Sequence, residues 1–237
     1  MADAVVCLPT YNERENLEPM VDALAPLGVQ VLVIDDNSPD GTGAIADRLA
    51  AEHAFVSVLH RAHKEGLGPA YLAGFHRALA DGAEYVLEMD CDFSHDPGDV
   101  RRLLEACDRG ADVALGSRYV AGGGTENWGL ARRFVSAGGS WYARALLGVE
   151  IRDLTGGFKC FRRRVLEALD LDAIHSKGYA FQIETTYRAL RAGFQVVEVP
   201  IRFVDRREGH SKMSRAIFLE AVVKVPVLRV AALAGRL

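Results

Sequence analysis

Five short apolar runs alternate with amphipathic segments along the first half of the chain, and no other feature limits its fold as much. The runs are mostly rich in valine, leucine and isoleucine, and they occupy residues 4–10, 29–36, 55–61, 83–90 and 111–119. Strands separated by helices at this rhythm need right-handed crossovers, which give a mainly parallel sheet with helices on both faces. The sequence therefore predicts an α/β fold.

Two helix starts are also predicted. Asn12 stands three residues before Glu15, which is the spacing of a capping box at the beginning of a first helix. Pro97, directly after Asp96, predicts the start of the fourth helix.

Composition limits the class of protein. A chain of 237 residues that is 49% apolar can bury the core of one large domain, and a net charge of -4 gives no electrostatic signature for nucleic acid. The four cysteines lack C-x-x-C spacing, and MADAVVCLPT lacks the basic start and long apolar stretch of a signal peptide. We therefore expect reduced thiols and a cytosolic protein.

Polar or charged residues follow each of the five runs. They are residues 9–13, Asp35 and Asp36, Arg61 and Lys64, Asp90 and Asp92, and Ser117 and Arg118. Ligands of parallel sheets bind outside the carboxyl ends of the strands, so these residues are expected to meet at one edge. Each group alone has turn chemistry as its alternative. Together they predict a site for a polar, charged ligand, and a nucleotide attached to another group fits best.

Common nucleotide-binding motifs do not explain such a site. The fingerprint G-x-G-x-x-G does not follow the first run, a P-loop does not occur, and Gly66 with Gly68 is too weak a signal for a dehydrogenase. A phospho-acceptor receiver domain would be about half as long as this chain.

Asp90 and Asp92 stand one residue apart where the fourth run ends. Two carboxylates so close need a cation, a proton or abundant water. One or two carboxylates that share a divalent ion with a diphosphate are typical of Mg²⁺ and Mn²⁺ sites. The sequence therefore predicts a Mg²⁺ or Mn²⁺ ion here.

Eight segments extend this interpretation over most of the chain. In order they are PTYNERENL, VIDDNSPDGT, HRAHKEGLGPAYLAGF, MDCDFSHDP, GSRY, DLTGGFKCF, GYAFQIE and VDRREGHSKM. From residue 4 to about residue 214 the chain resembles the family 2 glycosyltransferases of GT-A fold, and more narrowly the dolichol-phosphate mannose synthases and their bacterial polyprenol-phosphate counterparts. Cys91 departs from the alanine that is commoner inside the acidic pair, and it leaves both carboxylates in place.

The resemblance implies an inverting, metal-dependent transfer of mannose from GDP-mannose to a polyprenyl monophosphate. A sister reaction with UDP-glucose or another nucleotide sugar stays open, because the sequence does not identify the base. The alternative from a different class is a catalytically silent membrane-bound scaffold. It is disfavoured because Asp90, Asp92, Arg118 and Arg206 are all intact.

The resemblance also implies site roles, residue by residue. The donor nucleotide is expected against Pro9, Tyr11, Glu13 and Asp36, with Lys64 and Gly68 near the donor. Asp90 and Asp92 are expected to hold the metal, with Ser94 as a further ligand. Arg118, Arg132 and Ser136 are expected to bind the acceptor phosphate, and Arg206 and Lys212 to close on the donor diphosphate. The expected catalytic residues are Asp90, Asp92, Arg118, Arg206 and Lys212.

The acceptor chemistry suits these roles. A phosphate is already an anion at neutral pH, so the attack needs positioning and charge neutralisation rather than a general base. Arg132 and Ser136 stand four residues apart, on one helical face, although a plain surface pair has the same spacing. Asp153, Gln182 and Glu184 are candidates for the sugar pocket, and a salt bridge is the alternative for Glu184.

The segment 214–237 is apolar but is broken by Glu220, Lys224, Pro226 and Arg229, which argues against a transmembrane helix. We expect a catalytic domain over residues 1–213 and a C-terminal amphipathic helix over 214–237. Its basic ends suit a helix that lies on an anionic leaflet, and packing onto the core is the open alternative. The protein would then be peripheral on the cytoplasmic face of a membrane, or held there by an integral membrane partner.

Overall fold

The computed structural model describes residues 3–205, 215–235 and 237. Its strands are β1 (Ala4–Thr10), β2 (Gln30–Asp35), β3 (Val56–His60), β4 (Tyr85–Glu88), β5 (Val113–Ser117), β6 (Gly124–Glu126), β7 (Lys159–Arg162), β8 (Val196–Pro200) and β9 (Arg202–Val204). Its helices are α1 (Leu17–Leu24), α2 (Thr42–Glu52), α3 (Leu67–Ala80), α4 (Asp99–Asp108), α5 (Leu130–Leu147), α6 (Arg163–Ala168), α7 (Gly178–Arg191) and α8 (Arg215–Leu233). Short 3₁₀ helices occupy Ala25–Leu27 and Leu171–Ala173.

Seven strands form one sheet in the order β3-β2-β1-β4-β7-β5-β8. All neighbouring pairs are parallel except those of β7, which runs antiparallel between β4 and β5. The five predicted runs are confirmed as β1 to β5, and so is the α/β class. The strand β7 is an addition that the sequence analysis did not predict. A small second sheet pairs β6 with β9.

Alternate residues of β1 explain the two faces of the large sheet. Val6 and Leu8 pack with α1, α2 and α4 on one face, whereas Val5 and Cys7 pack with α3, α6 and α7 on the other. Strands that are covered on both faces have no solvent side, which is why the runs are almost continuously apolar. All four cysteines are free thiols and are buried.

The first helix starts later than predicted. Asn12 has a φ of 57° and lies in the loop after β1, while α1 begins at Leu17. The backbone N–H of Asn12 donates to Ser38 Oγ at 3.1 Å, and that of Glu13 donates to Thr42 Oγ1 at 3.0 Å. The capping box is wrong because these residues instead tie the loop to the neighbouring loop after β2. The fourth helix also starts later than predicted, because α4 begins at Asp99, two residues after Pro97.

The C-terminal helix α8 packs on the domain with one side only. Val225 and Leu228 are buried against α5 and α7 in a third core cluster. Val223, Val227, Val230 and Leu233 are exposed. In the described part of the chain, no helix has the length and apolar character needed to cross a membrane. The predicted boundary between residues 213 and 214 falls in the stretch 206–214, outside the described residues.

Candidate active site

A cavity of about 520 Å³ lies at the carboxyl ends of β1, β2, β4 and β5. Several residues that the sequence analysis assigned to the site line it: Pro9, Tyr11, Glu13, Asp36, Lys64, Asp90, Asp92 and Arg118. Pro9 and Arg118, far apart in the chain, thus meet because four parallel strands end at one edge.

Tyr11, Asp36 and Lys64 lie together on one side of the cavity. Lys64 Nζ sits 3.7 Å above the centre of the Tyr11 ring, a cation–π contact. Asp36 is fixed by Arg61, whose Nη1 donates to its Oδ1 at 2.6 Å. Burial raises the pKa of Asp36, and the Arg61 guanidinium partly offsets this. The result is a carboxylate held by Arg61 beside an aromatic ring and a lysine.

Gly68 is not among the described residues that line the cavity. A Cβ built on it would lie 2.4 Å from the Ser176 carbonyl oxygen, so the absent side chain lets α3 approach the loop before α7. Its expected role near the donor stays a prediction.

Asp90 and Asp92 sit in a tight turn that exposes both to the cavity. Phe93, with a φ of 58°, reverses the chain, and the Ser94 N–H donates back to Asp92 Oδ1 at 3.0 Å. On the other side, the Tyr71 hydroxyl lies 3.5 Å from Asp90 Oδ1. Both carboxylates are therefore held in place on the wall of one cavity.

The donor atoms of this turn fit a hard divalent ion. Among the described residues no cluster of three or more His, Cys, Asp or Glu side chains could hold a metal alone. Two carboxylates that leave the other positions to phosphate and water are what Mg²⁺ uses. Ser94 Oγ is buried and has no hydrogen-bond partner within the described chain, although Ser94 does not line the cavity.

His95 also holds this turn in place. Its Nδ1 accepts from the Asp90 N–H at 3.3 Å, and its ring stacks on Phe158 with the centroids 4.8 Å apart. Burial lowers the pKa of His95 to about 4, so the ring is neutral at pH 7 and its proton is on Nε2. His95 belongs to the segment MDCDFSHDP, but the sequence alone indicates no role for it.

Arg118 is held by a buried ion pair. Its Nε and Nη2 donate to the two carboxylate oxygens of Asp153 at 2.7 and 2.6 Å, and Nη2 also donates to Thr155 Oγ1 at 2.9 Å. Burial alone would lower the pKa of Arg118, but the Asp153 carboxylate raises it above its ordinary value. Arg118 is therefore a fixed positive charge in the cavity wall.

Ser136 on α5 is linked to this part of the wall. The Tyr119 hydroxyl, next in sequence to Arg118, donates to Ser136 Oγ at 2.8 Å. Arg132 lies one turn earlier on α5, and its side chain is outside the described residues. Arg206 and Lys212 are also outside them.

The floor of the cavity consists of three glycines and a glutamine. Gly116, Gly156 and Gly157 line it, and a Cβ on Gly157 would lie 3.3 Å from Gln182 Nε2. Gln182 lines the cavity and is held by the buried Lys159, whose Nζ donates to the backbone carbonyl oxygen of Gln182 at 3.0 Å. Glu184, by contrast, forms a salt bridge with Arg188 at 2.8 Å, which was its open alternative.

Further lining residues have no role predicted from the sequence. They include Trp128, Lys177, Tyr179, Phe203 and Glu220. Lys177 and Tyr179 flank the glycine that opens the GYAFQIE segment, so that segment was a usable signal for both. Glu220 lies on α8, for which the sequence leaves a membrane-surface helix and a helix packed on the core as alternatives.

Comparison with known proteins extends these observations. The chain is 53% identical over 224 residues to a polyprenol monophosphomannose synthase of Mycolicibacterium smegmatis, covering 93% of this chain and 84% of that one. It is 51% identical over 220 residues to an undecaprenyl-phosphate mannosyltransferase of Micrococcus luteus, covering 92% of this chain and 90% of that one.

A solved structure shares the fold. It is a mannosyltransferase from Pyrobaculum calidifontis in complex with GDP-Man and Mn²⁺, 15% identical, with a TM-score of 0.58 over 98% of this chain and 74% of that one. Residues 5–170 match the family model described as glycosyl transferase family 2. The chain therefore belongs to glycosyl transferase family 2, as its eight segments predicted.

Proposed function

We propose that this protein transfers mannose from GDP-mannose to a polyprenyl monophosphate, with inversion at the anomeric carbon, and that it needs Mg²⁺ or Mn²⁺. The observation that carries the proposal is the pair Asp90 and Asp92 on the wall of the cavity at the sheet edge. The names of the two relatives support the sugar and the lipid class.

The charges of the cavity support a metal ion. The described lining residues include five carboxylates, Glu13, Asp36, Asp90, Asp92 and Glu220, and three cations, Lys64, Arg118 and Lys177. Arg118 is paired with Asp153, and Asp36 is paired with Arg61. The other described lining residues carry four carboxylates and two lysines, so a sugar diphosphate would meet net negative charge there. When bound at Asp90 and Asp92, a divalent ion supplies the positive charge that stabilises the departing diphosphate. The Mn²⁺ in the Pyrobaculum structure is in keeping with this.

The protein's own residues divide the remaining work. In this proposal Tyr11, Glu13 and Asp36 bind the nucleoside, beside Lys64. The glycine floor leaves space for the sugar, and Gln182 supplies a side-chain amide whose Oε1 accepts from the buried Lys159 Nζ. Arg118, Arg132 and Ser136 orient the acceptor phosphate, and Arg206 and Lys212 close on the diphosphate. The roles of Arg132, Arg206 and Lys212 rest on the motif resemblance alone.

The acceptor phosphate attacks without a general base. It is ionised at neutral pH, so the protein has to align it with the anomeric carbon and reduce its repulsion from the donor. His95, the only histidine among the described residues that line the cavity, uses Nδ1 to accept from the Asp90 N–H, which suits a supporting role rather than proton transfer.

We also propose that the protein lies on the membrane that holds its acceptor, on the cytoplasmic face. The outer sides of α5 and α8 carry a set of exposed apolar residues, here called the apolar face: Leu130, Phe134, Val135, Trp141, Leu146, Val223, Val227, Val230 and Leu233. Phe134 and Trp141 are 77% and 70% exposed, which is unusual for large aromatic side chains in contact with water alone. The same helix α5 carries Ser136, so this face lies beside the proposed acceptor site.

A donor panel tests the proposal. The purified protein is incubated with polyprenyl phosphate, Mn²⁺ and labelled GDP-mannose, UDP-glucose or UDP-mannose, and organic extraction separates the lipid product. We expect label in the lipid from GDP-mannose above all. Preferential use of UDP-glucose would favour the sister reaction, and no transfer from any donor would favour a silent scaffold.

A further inference from the structure

The C-terminal helix α8 is attached to the cavity wall by charged side chains. Glu220 Oε1 accepts from the backbone N–H of Lys177 at 2.8 Å. One turn later, Lys224 Nζ lies 3.7 Å from Oε2 of the buried Glu184. Glu184 Oε2 also accepts from the Ser176 hydroxyl. Two charged residues of α8 therefore reach the same short segment, residues 175–178, directly or through Glu184.

That segment forms part of the cavity. Lys177 and Gly178 line it, followed by Tyr179 in the first turn of α7. Lys177 is the N-cap residue of α7 and provides no side-chain cap. The first N–H groups of a helix have no partner within the helix and favour negative charge beside them. The Glu220 carboxylate supplies both an acceptor and that charge from another helix.

The opposite side of the segment is held by α3. A Cβ on Gly68 would lie 2.4 Å from the Ser176 carbonyl oxygen, and a Cβ on Gly66 would lie 3.6 Å from Lys177 Cδ. The segment is thus enclosed between the start of α3 and the inner side of α8. Its position determines where the Lys177 side chain, one of the three described cavity cations, runs past the start of α3.

We infer that Glu220 is a positioning residue of the transferase site: from α8 it fixes residues 175–178, and so places Lys177 and Tyr179 at the cavity, with Lys224 and Glu184 as a second tie. The C-terminal helix is then a part of the active site and not solely a membrane contact. This inference rests on the proposed function for its kinetic consequence, but its structural part stands without it.

Three roles of Glu220 differ in the chemistry that they need: positioning of residues 175–178, direct action as a general base or metal ligand, and a purely structural role. A positioning role needs an oxygen that accepts from the Lys177 N–H, and glutamine keeps that oxygen without the charge. A general base or a metal ligand needs the carboxylate, which glutamine lacks. A purely structural role would change stability but leave the apparent KM for the donor unchanged.

The test uses the full chain with Glu220→Ala, Glu220→Gln and Lys224→Met, and with Glu167→Ala as a surface control, since Glu167 is half exposed and paired with Arg163 on α6. Hydrogen exchange is followed in peptides that cover residues 175–184, and KM and kcat are measured for GDP-mannose. For Glu220→Ala we expect faster exchange there and a KM raised about tenfold, the loss of one charge-assisted hydrogen bond, with a smaller change in kcat. Glu220→Gln, which keeps the acceptor oxygen and loses the charge, should fall between the wild type and Glu220→Ala in both measurements, and Glu167→Ala should match the wild type.

Unchanged exchange in Glu220→Ala, or a Glu220→Gln variant as impaired as Glu220→Ala, would overturn the inference. If Glu220→Ala loses cooperative melting, Lys224→Met is judged by the same two measurements. Failure of the wild type to use GDP-mannose would refute the proposed function, while the exchange experiment would still decide the position of residues 175–178.

Discussion

Arg118 and Asp153 form a buried, bidentate ion pair, with Nε–Oδ2 and Nη2–Oδ1 distances of 2.7 and 2.6 Å. The Arg118 backbone N–H also donates to Asp153 Oδ2 at 2.9 Å. The pair joins the end of β5 to the loop before the glycine floor of the cavity. Arg118 therefore has a structural partner as well as a place in the cavity wall.

Removing one member of this pair should destabilise the fold. Asp153→Ala leaves a buried guanidinium without its partner, and we expect a loss of about 3–5 kcal/mol in the free energy of unfolding. Urea denaturation checks the value. Asp172→Ala, which removes an exposed carboxylate beside His76, should change it by less than about 0.5 kcal/mol. Similar small losses in both variants would mean that the pair contributes little.

The acidic pair should control turnover and not stability. We expect Asp92→Asn to reduce kcat/KM by at least about 100-fold, because it weakens the site that supplies positive charge to the departing diphosphate. Asp96→Asn, a neighbouring exposed carboxylate that accepts from the Gly98 N–H, is the matched control and should keep normal turnover. Full activity of Asp92→Asn, or of the wild type in EDTA, would refute the metal assignment.

Donor and acceptor contacts should be separable. If Arg132 binds the lipid phosphate, Arg132→Ala raises the KM for polyprenyl phosphate and leaves the affinity for GDP nearly unchanged. Lys212→Ala should do the reverse. Calorimetric titration of GDP into both variants, together with acceptor kinetics, gives the answer. Equal losses of GDP affinity in both would contradict the division of roles.

The apolar face should govern membrane binding without affecting the fold. Deletion of α8 is not a clean test, because Val225 and Leu228 belong to the core. Phe134→Ser with Trp141→Ser changes only exposed side chains, so we expect unchanged melting and reduced flotation with anionic liposomes. Transfer to a short, soluble acceptor should persist. Undiminished flotation of the double variant would point to attachment through another surface or a membrane partner.

A buried ion pair beneath the cavity should give a stability minimum between pH 7 and 8. Burial raises the pKa of Glu88 to about 7 from 4.5, so its ionisation in the folded state makes stability fall as pH rises from 4.5 to about 7. Burial lowers the pKa of Lys159 to about 8 from 10.5, so stability rises again as pH goes from about 8 to 10.5.

Replacement of both residues tests this minimum. Glu88→Gln with Lys159→Met removes both buried charges and also the three hydrogen bonds that Lys159 Nζ donates to Gln182 and Thr185. The loss of those bonds does not depend on pH, so we expect the free energy of unfolding of the wild type, taken relative to this variant, to be smallest near pH 7.5 and to increase toward pH 5 and pH 10. A difference that stays constant over this range would show that the two groups do not titrate as described.

The sequence predicted those parts of the fold that depend on local pattern. β1, β2 and β4 are mostly apolar because both faces of the sheet are covered, and the acids that follow them meet at its edge. β7 is four residues long and pairs with β4 in antiparallel register, about 70 residues away in the chain, so no local pattern marks it.

The same reasoning explains which contacts the sequence does not reveal. The capping box at Asn12 failed because Glu13 bonds the Asn16 side chain at 2.9 Å and its own N–H bonds Thr42, contacts that depend on the folded loops. Arg118 and Asp153 are 35 residues apart, and Glu220 meets Lys177 across 43 residues. Such pairings depend on how distant elements and loops pack together, which one sequence does not reveal.

The most direct test of the account is the chemical identity of the product. The wild type is incubated with GDP-mannose, a short polyprenyl phosphate and Mn²⁺, and the lipid is analysed by mass spectrometry and by NMR of the anomeric centre. We predict one mannose added to the lipid phosphate, with inverted configuration relative to the donor, one GDP released for each, and no product in EDTA. Release of GDP with free mannose and an unmodified lipid, or a mannosyl lipid formed with retention, would contradict it.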